Sequence, residues 1–242
     1  MKTLSYWVLG LALVALAFVG LSPKSKPHTS TALPWDIRLS DNGHSEVFGI
    51  TLGQTTVSEA LAILGVDHDL AIISDQQDKS GLEIYYSHFR TGPLAAKLVL
   101  SVNIDPLLLE TMQARASNAQ YLQSGARKFS LNDMDLDNIQ NLSIGALSLI
   151  PSANLSRETI IARFGEPAEI IVIGEQAQHL LYPAKGLDVA FHPETKETLQ
   201  YTAPRDFEQL RQPLRKRQLA NKQASMAAQK TAQKTAPETT QP

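Results

Sequence analysis

A short amphipathic pattern occurs twice in the chain, with an offset of 100 residues. The stretches 55–65 (TTVSEALAILG) and 155–165 (LSRETIIARFG) place apolar residues at helical spacing, with polar residues between them. Thr56 and Ser156 stand just before the apolar positions, where a hydroxyl side chain caps the first turn of a helix. The pattern therefore predicts two short helices that begin after these two residues.

Both predicted helices end at a glycine. Gly65 and Gly165 occupy the position where a helix commonly stops with a residue of positive φ. Pro167 follows two residues after Gly165 and prevents the second helix from continuing. Glu59, three residues after the first cap, completes a capping box. We expect five residues to have structural roles at these helix ends: Thr56, Gly65, Ser156, Gly165 and Pro167.

Each predicted helix is followed by short apolar runs that are separated by turn residues. After the second helix the predicted strands are 169–175, 178–183, 187–193 and 198–204. After the first helix they are 69–74, 82–89 and 96–104. A helix followed by an antiparallel meander is an α+β unit, so the chain is predicted to contain two such units.

The second copy resembles a known family in its helix end and in the strands that follow. The residues that carry the likeness are Ser156, Phe164–Gly165–Glu166–Pro167, Tyr182 and 186–191 (GLDVAF). They resemble the SmpA/OmlA (BamE-like) family, whose fold is shared with beta-lactamase inhibitor proteins. The likeness covers about 50 residues here and extends less closely to 48–104, where Val66 and Asp67 replace the Glu-Pro pair.

That resemblance implies a bacterial envelope protein that acts through protein–protein contacts. The lipid anchor of the family is not expected here, because the chain has no cysteine to carry it. The resemblance transfers no functional residue to this sequence.

The stretch between the two copies is predicted to be a helical connector over 105–144. Its first helix is expected over 105–128, with Asp105 as N-cap and Pro106 at the first helical position. Its second helix is expected over 130–142, capped by Ser130 and Asp133. An apolar strand over 142–151 then leads into the second copy.

The N-terminus carries an uncharged run of 19 residues, from Leu4 to Ser22. As a helix it is about 28 Å long, enough to cross a hydrocarbon core of roughly 30 Å. We favour a transmembrane anchor over 1–22, with a cleaved signal peptide as the alternative. Residues 23–34, rich in Pro, Ser, Thr and Lys, are predicted to be a linker. The body is then expected in the periplasm, tethered to the inner membrane by one span.

Charge divides the chain into an acidic body and a basic tail. Residues 35–204 hold 21 acidic and 11 basic residues, whereas 205–242 hold eight basic and three acidic ones. The tail over 208–242 has helix propensity over 214–234 but no apolar face, and it is predicted to be largely disordered. Its candidate contacts with an anionic membrane or polymer are Arg211, Arg215, Lys216, Arg217 and Lys222. Nucleic acid is not an expected partner, because no aromatic residues lie between these basic residues.

These features divide the chain into six parts. They are an anchor (1–22), a linker (23–34), a first unit (35–104), a connector (105–144), a second unit (145–207) and the basic tail (208–242).

Candidate chemistry is sparse. Without cysteine, the chain has no disulfide, thiol nucleophile or cysteine zinc site. The Asp67–His68–Asp69 run is interpreted as a solvated turn, and no histidine pair has metal-ligand spacing. Asp133, Asp135 and Asp137 imitate the start of a calcium loop, but the sixth position is Asn138 rather than glycine. We therefore expect no catalytic residue, metal or cofactor.

Three functional hypotheses follow. The first is a non-catalytic, membrane-anchored envelope protein that binds a protein partner through its sheet. The second is a hydrolase or metal-dependent enzyme with a site between the two repeats, built from His88, His179 or His192. The third is a periplasmic ligand carrier, which would need a cleaved signal and a deep apolar cavity.

Overall fold

A computed structural model of the chain describes residues 28–116, 118–174, 177–191 and 196–235. The expected anchor over 1–22 lies outside the described residues, as do 23–27 of the linker and 236–242 of the tail. Among the helices that are described, none is both long enough and apolar enough to cross a membrane. The described chain combines helices with a mainly antiparallel sheet, so the predicted α+β class is confirmed.

The described helices are α1 Val57–Leu64, α2 Pro106–Ala114, α3 Asp133–Asn138, α4 Arg157–Phe164 and α5 Glu208–Thr235. The strands before the connector are β1 His28–Ser30, β2 Arg38–Leu39, β3 Ser45–Val47, β4 Ile50–Thr51, β5 Asp69–Ser74, β6 Ser80–Thr91 and β7 Leu94–Val102. The later strands are β8 Asn118–Tyr121, β9 Arg127–Ser130, β10 Ile144–Pro151, β11 Glu169–Ile173, β12 Ala177–Tyr182, β13 Leu187–Phe191 and β14 Thr198–Thr202.

One large sheet holds most of these strands, in the order β11-β12-β13-β14-β10-β7-β6-β5-β9-β8. The first segment consists of α1 with β5, β6 and β7, and its strands lie on one side of β10. The second segment consists of α4 with β11, β12 and β13, and its strands lie on the other side of β14. The two closing strands β10 and β14 pair antiparallel at the centre, so both segments belong to one continuous sheet.

Both predicted helix starts are confirmed. The Thr56 hydroxyl accepts a bond from the Glu59 backbone N–H, and the Glu59 carboxylate accepts one from the Thr56 N–H at 2.8 Å. Ser156 Oγ accepts from the Thr159 N–H at 3.2 Å. These bonds satisfy backbone donors that have no partner inside the helix.

Both predicted helix ends are confirmed as well. Gly65 has φ of +86° and Gly165 has φ of +83°, values that L side chains adopt only with strain. Each glycine donates its N–H to the carbonyl four residues back, at 2.8 Å, which closes the last turn. Pro167 follows before β11 begins.

The main core lies on the face of the sheet that packs against α1, α4 and the connector helices, here called the first face. Phe48 enters this core at the tip of the β3–β4 hairpin, with φ of +55°. Its ring lies 5.2 Å from Phe89 of β6 and 6.4 Å from Tyr201 of β14. One aromatic side chain therefore joins the cores of both segments.

The connector differs from its prediction. The helix capped by Asp105 is confirmed at its start but ends at Ala114, and residues expected to continue it form the β8–β9 hairpin. The physical reason is the open edge of β5, because β9 pairs with Ile72–Ser74 and gives those backbone groups partners. The second helix is shorter than 130–142, and Asn132 rather than Ser130 caps it.

The end of the predicted linker is part of the folded body. His28–Ser30 forms β1, which pairs in parallel with β6. Pro34 is buried, and its carbonyl accepts a bond of 3.0 Å from the buried Tyr201 hydroxyl. The linker prediction is therefore wrong for 28–34.

The basic tail also departs from its prediction. Residues 208–235 form α5, and Leu210 and Leu214 on its first turns are fully buried. They pack with Phe207 against Ile171 and Leu181 on the opposite side of the sheet, here called the second face. The expectation that this segment lacks an apolar face is wrong for these turns, because two leucines at i and i+4 suffice to cover a narrow strip.

Candidate interaction surface

The helix-end glycines are held by a tyrosine in both segments. The Tyr86 hydroxyl donates to the Gly65 carbonyl at 2.9 Å, and the Tyr182 hydroxyl donates to the Gly165 carbonyl at 3.0 Å. Both tyrosines lie on the second strand after their helix. The family resemblance drew attention to Tyr182 but not to Tyr86, and the spacing from the glycine differs, with 21 residues in the first segment and 17 in the second.

Two of the basic residues that were predicted to contact a membrane or polymer form ion pairs within the protein. Arg215 donates from Nε and Nη2 to Glu169 Oε1, at 3.1 and 3.0 Å. Arg211 Nη1 lies 3.6 Å from Glu169 Oε2, and Arg211 also pairs with Glu208. These partly exposed pairs are individually worth up to about 1 kcal/mol, and together they fix the start of α5 beside β11.

The other predicted basic residues lie on later turns of α5. Lys216, Arg217 and Lys222 are exposed or nearly so. At about 100° per residue, these three side chains leave the helix in different directions, so the five basic residues do not form a single stripe. The helix therefore carries positive charge away from the sheet on several sides.

Strand β11 ends the sheet and exposes apolar side chains. Ile170 is 41% exposed and Val172 is 42% exposed. Ile171 between them faces α5, so the two exposed side chains share the first face. Gln218 of α5 donates to the Val172 carbonyl at 3.4 Å, which places the basic helix directly beside this strand. We call Ile170 and Val172 the β11 patch.

The two histidines of the enzyme hypothesis that the structure describes, His88 and His179, do not meet. His88 is exposed on β6, and its Nδ1 lies 2.8 Å from Ser87 Oγ. His179 is on β12, with Nδ1 at 2.8 Å from the buried carboxylate of Asp188. Four strands separate β6 from β12, which corresponds to about 24 Å across the sheet. His192, the third candidate, lies outside the described residues.

Buried polar side chains occur on the second face, and sequence reasoning did not identify them. Gln200 is fully buried, and neither of its amide atoms has a hydrogen-bond partner within the described part of the chain. Burial raises the pKa of Glu83 to about 8. Strand alternation would have placed both residues away from the main core, but it gives no indication that this side is also buried.

In each of the two acidic patterns that imitate metal sites, one aspartate forms an ion pair within the protein. Asp69 pairs with Lys128, and burial is the main cause that lowers the pKa of His68. Asp135 is fully buried and pairs with Arg115, whereas Asp133 and Asp137 are exposed. Within the described ranges, no three His, Asp or Glu side chains are grouped as metal ligands would be.

Comparison with family models, with curated proteins and with solved structures found no match.

Proposed function

We propose that this chain is a non-catalytic protein of the cell envelope, held to the inner membrane by residues 1–22 and exposed to the periplasm. Its two segments are proposed to be SmpA/OmlA-like repeats, and it acts by binding another protein. The paired helix caps, the positive-φ glycines and the two tyrosine–glycine bonds support the repeat. The uncharged run in the sequence supports the anchor.

The β11 patch carries the protein-binding proposal. A sheet edge with exposed apolar side chains invites pairing, so such strands are normally short, charged or covered. Here Ile170 and Val172 are exposed on the first face of the end strand, and the basic helix α5 packs on the second face beside the same strand. A partner that reaches around this edge, with an apolar segment and acidic flanks, would bury both side chains and neutralise Arg217 or Lys222.

Site-specific photocrosslinking in intact membranes tests the patch. A photoreactive amino acid replaces Ile170 or Val172 in the full chain, and Leu107 and Met134 provide matched controls because both are exposed apolar residues of the connector. We expect one protein adduct from the β11 positions, identified by mass spectrometry, and none from the controls. The same adducts from all four positions would contradict a role for this strand.

The anchor is tested separately. A carbonate wash at alkaline pH should leave the full chain in the membrane pellet. Intact protein in the supernatant, or a mature N-terminus near Leu21, would contradict the anchor and favour a cleaved signal.

Basic residues of α5 are proposed to contact an anionic membrane or polymer, and liposome co-sedimentation tests this role. A chain that begins at residue 28 keeps β1 and the Pro34–Tyr201 bond. It should bind vesicles containing phosphatidylglycerol, and binding should fall as salt rises from about 50 to 300 mM, because the Debye length falls below 10 Å. Replacing Arg217 and Lys222 by Gln should weaken binding, whereas the same change at Lys79 and Lys97 should not. Equal binding by all variants would remove this role.

A further inference from the structure

A cavity of about 610 Å³ lies between α2 and the corner of the sheet where β5, β6 and β9 meet. This volume is within the range of small-molecule sites in proteins. The cavity is on the first face, in the part of the connector that the sequence predicted to be continuous helix. It lies within the first segment and its connector, away from the β11 patch.

One end of the cavity has a buried hydroxyl group. Ser80 of β6 lines it and is buried. Ser74 of β5 is the register partner of both Ser80 and Arg127, and it shares the face of Ile72, which is in the main core. Ser74 is fully buried, and its Oγ has no hydrogen-bond partner among the described residues. Ser74 is not part of the cavity lining, so the hydroxyl that a ligand can reach at this end is that of Ser80.

The lining combines apolar and charged side chains. Leu109 of α2 and Phe129 of β9 are apolar, Arg127 is a cation, and Asp78 and Glu110 are carboxylates. The Arg127 guanidinium lies 5.5 Å from the centre of the Phe129 ring, a distance typical of a cation–π contact. Its carboxylate partner is Asp78, whose side chain is 81% exposed. An exposed pair of this kind is weak, so another carboxylate can replace Asp78 at low cost.

We propose that this cavity binds a hydroxyphenyl group that is linked to a carboxylate. The carboxylate takes the place of Asp78 on Arg127, and the ring lies between Leu109 and Phe129. The phenolic hydroxyl then bonds to the Ser80 hydroxyl. Arg127 and Ser80 are on strands two spacings apart, about 10 Å, so the ligand must place its two polar ends at opposite sides of one ring.

Isothermal titration calorimetry on the full chain in detergent tests the site with 3-(4-hydroxyphenyl)propanoate as the probe. Arg127→Gln should weaken binding at least about tenfold, because a charge-assisted bond is lost. Arg90→Gln is the matched control, since it makes the same charge change at an exposed residue of β6, and it should bind like the wild type. The primary amide of the probe should bind weakly to every variant, and 3-phenylpropanoate should bind about tenfold less tightly.

Ala114→Phe provides a second line of evidence, because Ala114 is exposed and lines the cavity. The larger ring should fill the space and abolish binding without lowering Tm. Absence of binding to the wild type at millimolar probe, or equal binding by Arg127→Gln and wild type, would overturn the proposal.

The same chemistry has two sources, a free hydroxyphenyl acid or the C-terminal tyrosine of a polypeptide. A short acetylated peptide ending in Tyr with a free carboxylate separates them, with the C-terminal amide as its control. Tighter binding of the peptide than of the free acid assigns the site to a polypeptide terminus. The reverse order assigns it to a small acid. Binding here and crosslinking at the β11 patch are independent, so failure of one leaves the other standing.

Discussion

The two segments share one framework and differ in what joins their third strand to their closing strand. In the second segment, residues 192–197 link β13 to β14. In the first segment, residues 103–143 link β7 to β10 and include α2, α3 and the β8–β9 hairpin. The connector is therefore an insertion between β7 and β10, in the half of the sheet that belongs to the first segment. In chain order it also lies between α1 and α4.

This insertion changes the ends of the sheet. The β8–β9 hairpin covers the edge of β5, while β11 at the other end is left beside α5 with an exposed apolar patch. The residues that cover the second face also differ between the two segments. Leu122 and Ala126 of the connector pack on β5, whereas Leu210 and Leu214 of α5 pack near β11 and β12. A shared geometry at the helix ends thus coexists with different edges, and the proposed sites lie where the segments differ.

The largest expected difference concerns the glycine in the turn between the second and third strands. Gly186 has φ of +65°, and a Cβ there would overlap the Thr202 carbonyl oxygen. Gly92 occupies the same turn in the first segment with φ of +54°, but its Cβ would meet only the Leu33 side chain. Gly186→Ala should cost about 4 kcal/mol of unfolding free energy, and Gly92→Ala about 1 kcal/mol. Urea unfolding of both variants measures this, and equal costs would contradict the comparison.

Buried carboxyls on the second face also distinguish the segments. Asp188 has His179 as a partner, whereas Glu83 Oε1 has none among the residues that the structure describes. Burial raises the pKa of Glu83 to about 8. A carboxyl with a raised pKa contributes its stability below about pH 4.5 and loses it as pH rises through 8. Between pH 5 and 8 the loss should be about 3 kcal/mol, and Glu83→Gln should remove it.

Urea unfolding at pH 5, 6.5 and 8 measures the contribution of Glu83. Glu166→Gln is the control, because Glu166 is exposed. If Glu83→Gln and the control keep the same pH dependence as the wild type, the carboxyl is not protonated in the folded chain.

Packing on the second face gives the next effect. Leu210→Ala should cost about 2 kcal/mol, the lower end for a buried leucine, because its cluster is small and near the sheet edge. Leu122→Ala, at the partly buried equivalent in the first segment, should cost about 1 kcal/mol. Thermal unfolding compares the two, and removal of 208–242 should lower Tm rather than leave it unchanged. An unaltered Tm after that truncation would restore the prediction of a tail without a packing role.

The smallest effect tests how alike the segments are. Tyr86→Phe and Tyr182→Phe each remove one hydroxyl bond to a helix-end carbonyl, at an expected cost of about 1 kcal/mol. The costs should be equal and should add in the double variant, because the two sites lie in different halves of the sheet. Unequal costs, measured by urea unfolding, would show that the shared bond has different weight in the two segments.

The starts and ends of the two repeated helices could be predicted from the sequence in both segments. Thr56, Ser156 and the glycines that follow them predicted the start and end of α1 and α4, since caps and positive-φ residues act within one or two turns. The strands after each helix were also placed to within a few residues. The resemblance to SmpA/OmlA proteins, the membrane anchor and the absence of catalysis stay predictions.

Strand pairing and ion pairs between residues that are distant in the sequence could be identified only from the tertiary structure. Residues 118–130 have helix-compatible composition, but the free edge of β5 supplies backbone partners, and the segment becomes a hairpin. Arg211 and Arg215 were predicted as surface contacts, but Glu169, more than forty residues away, binds them. The candidate cavity depends on that same hairpin, so no sequence pattern indicated it.

The sequence by itself determined the helix ends and the strand order within each segment, because those depend on neighbours along the chain. The tertiary structure decided the joining of the segments, the covered faces and the open edge. Those features depend on which distant groups still lack a partner when the local elements have formed.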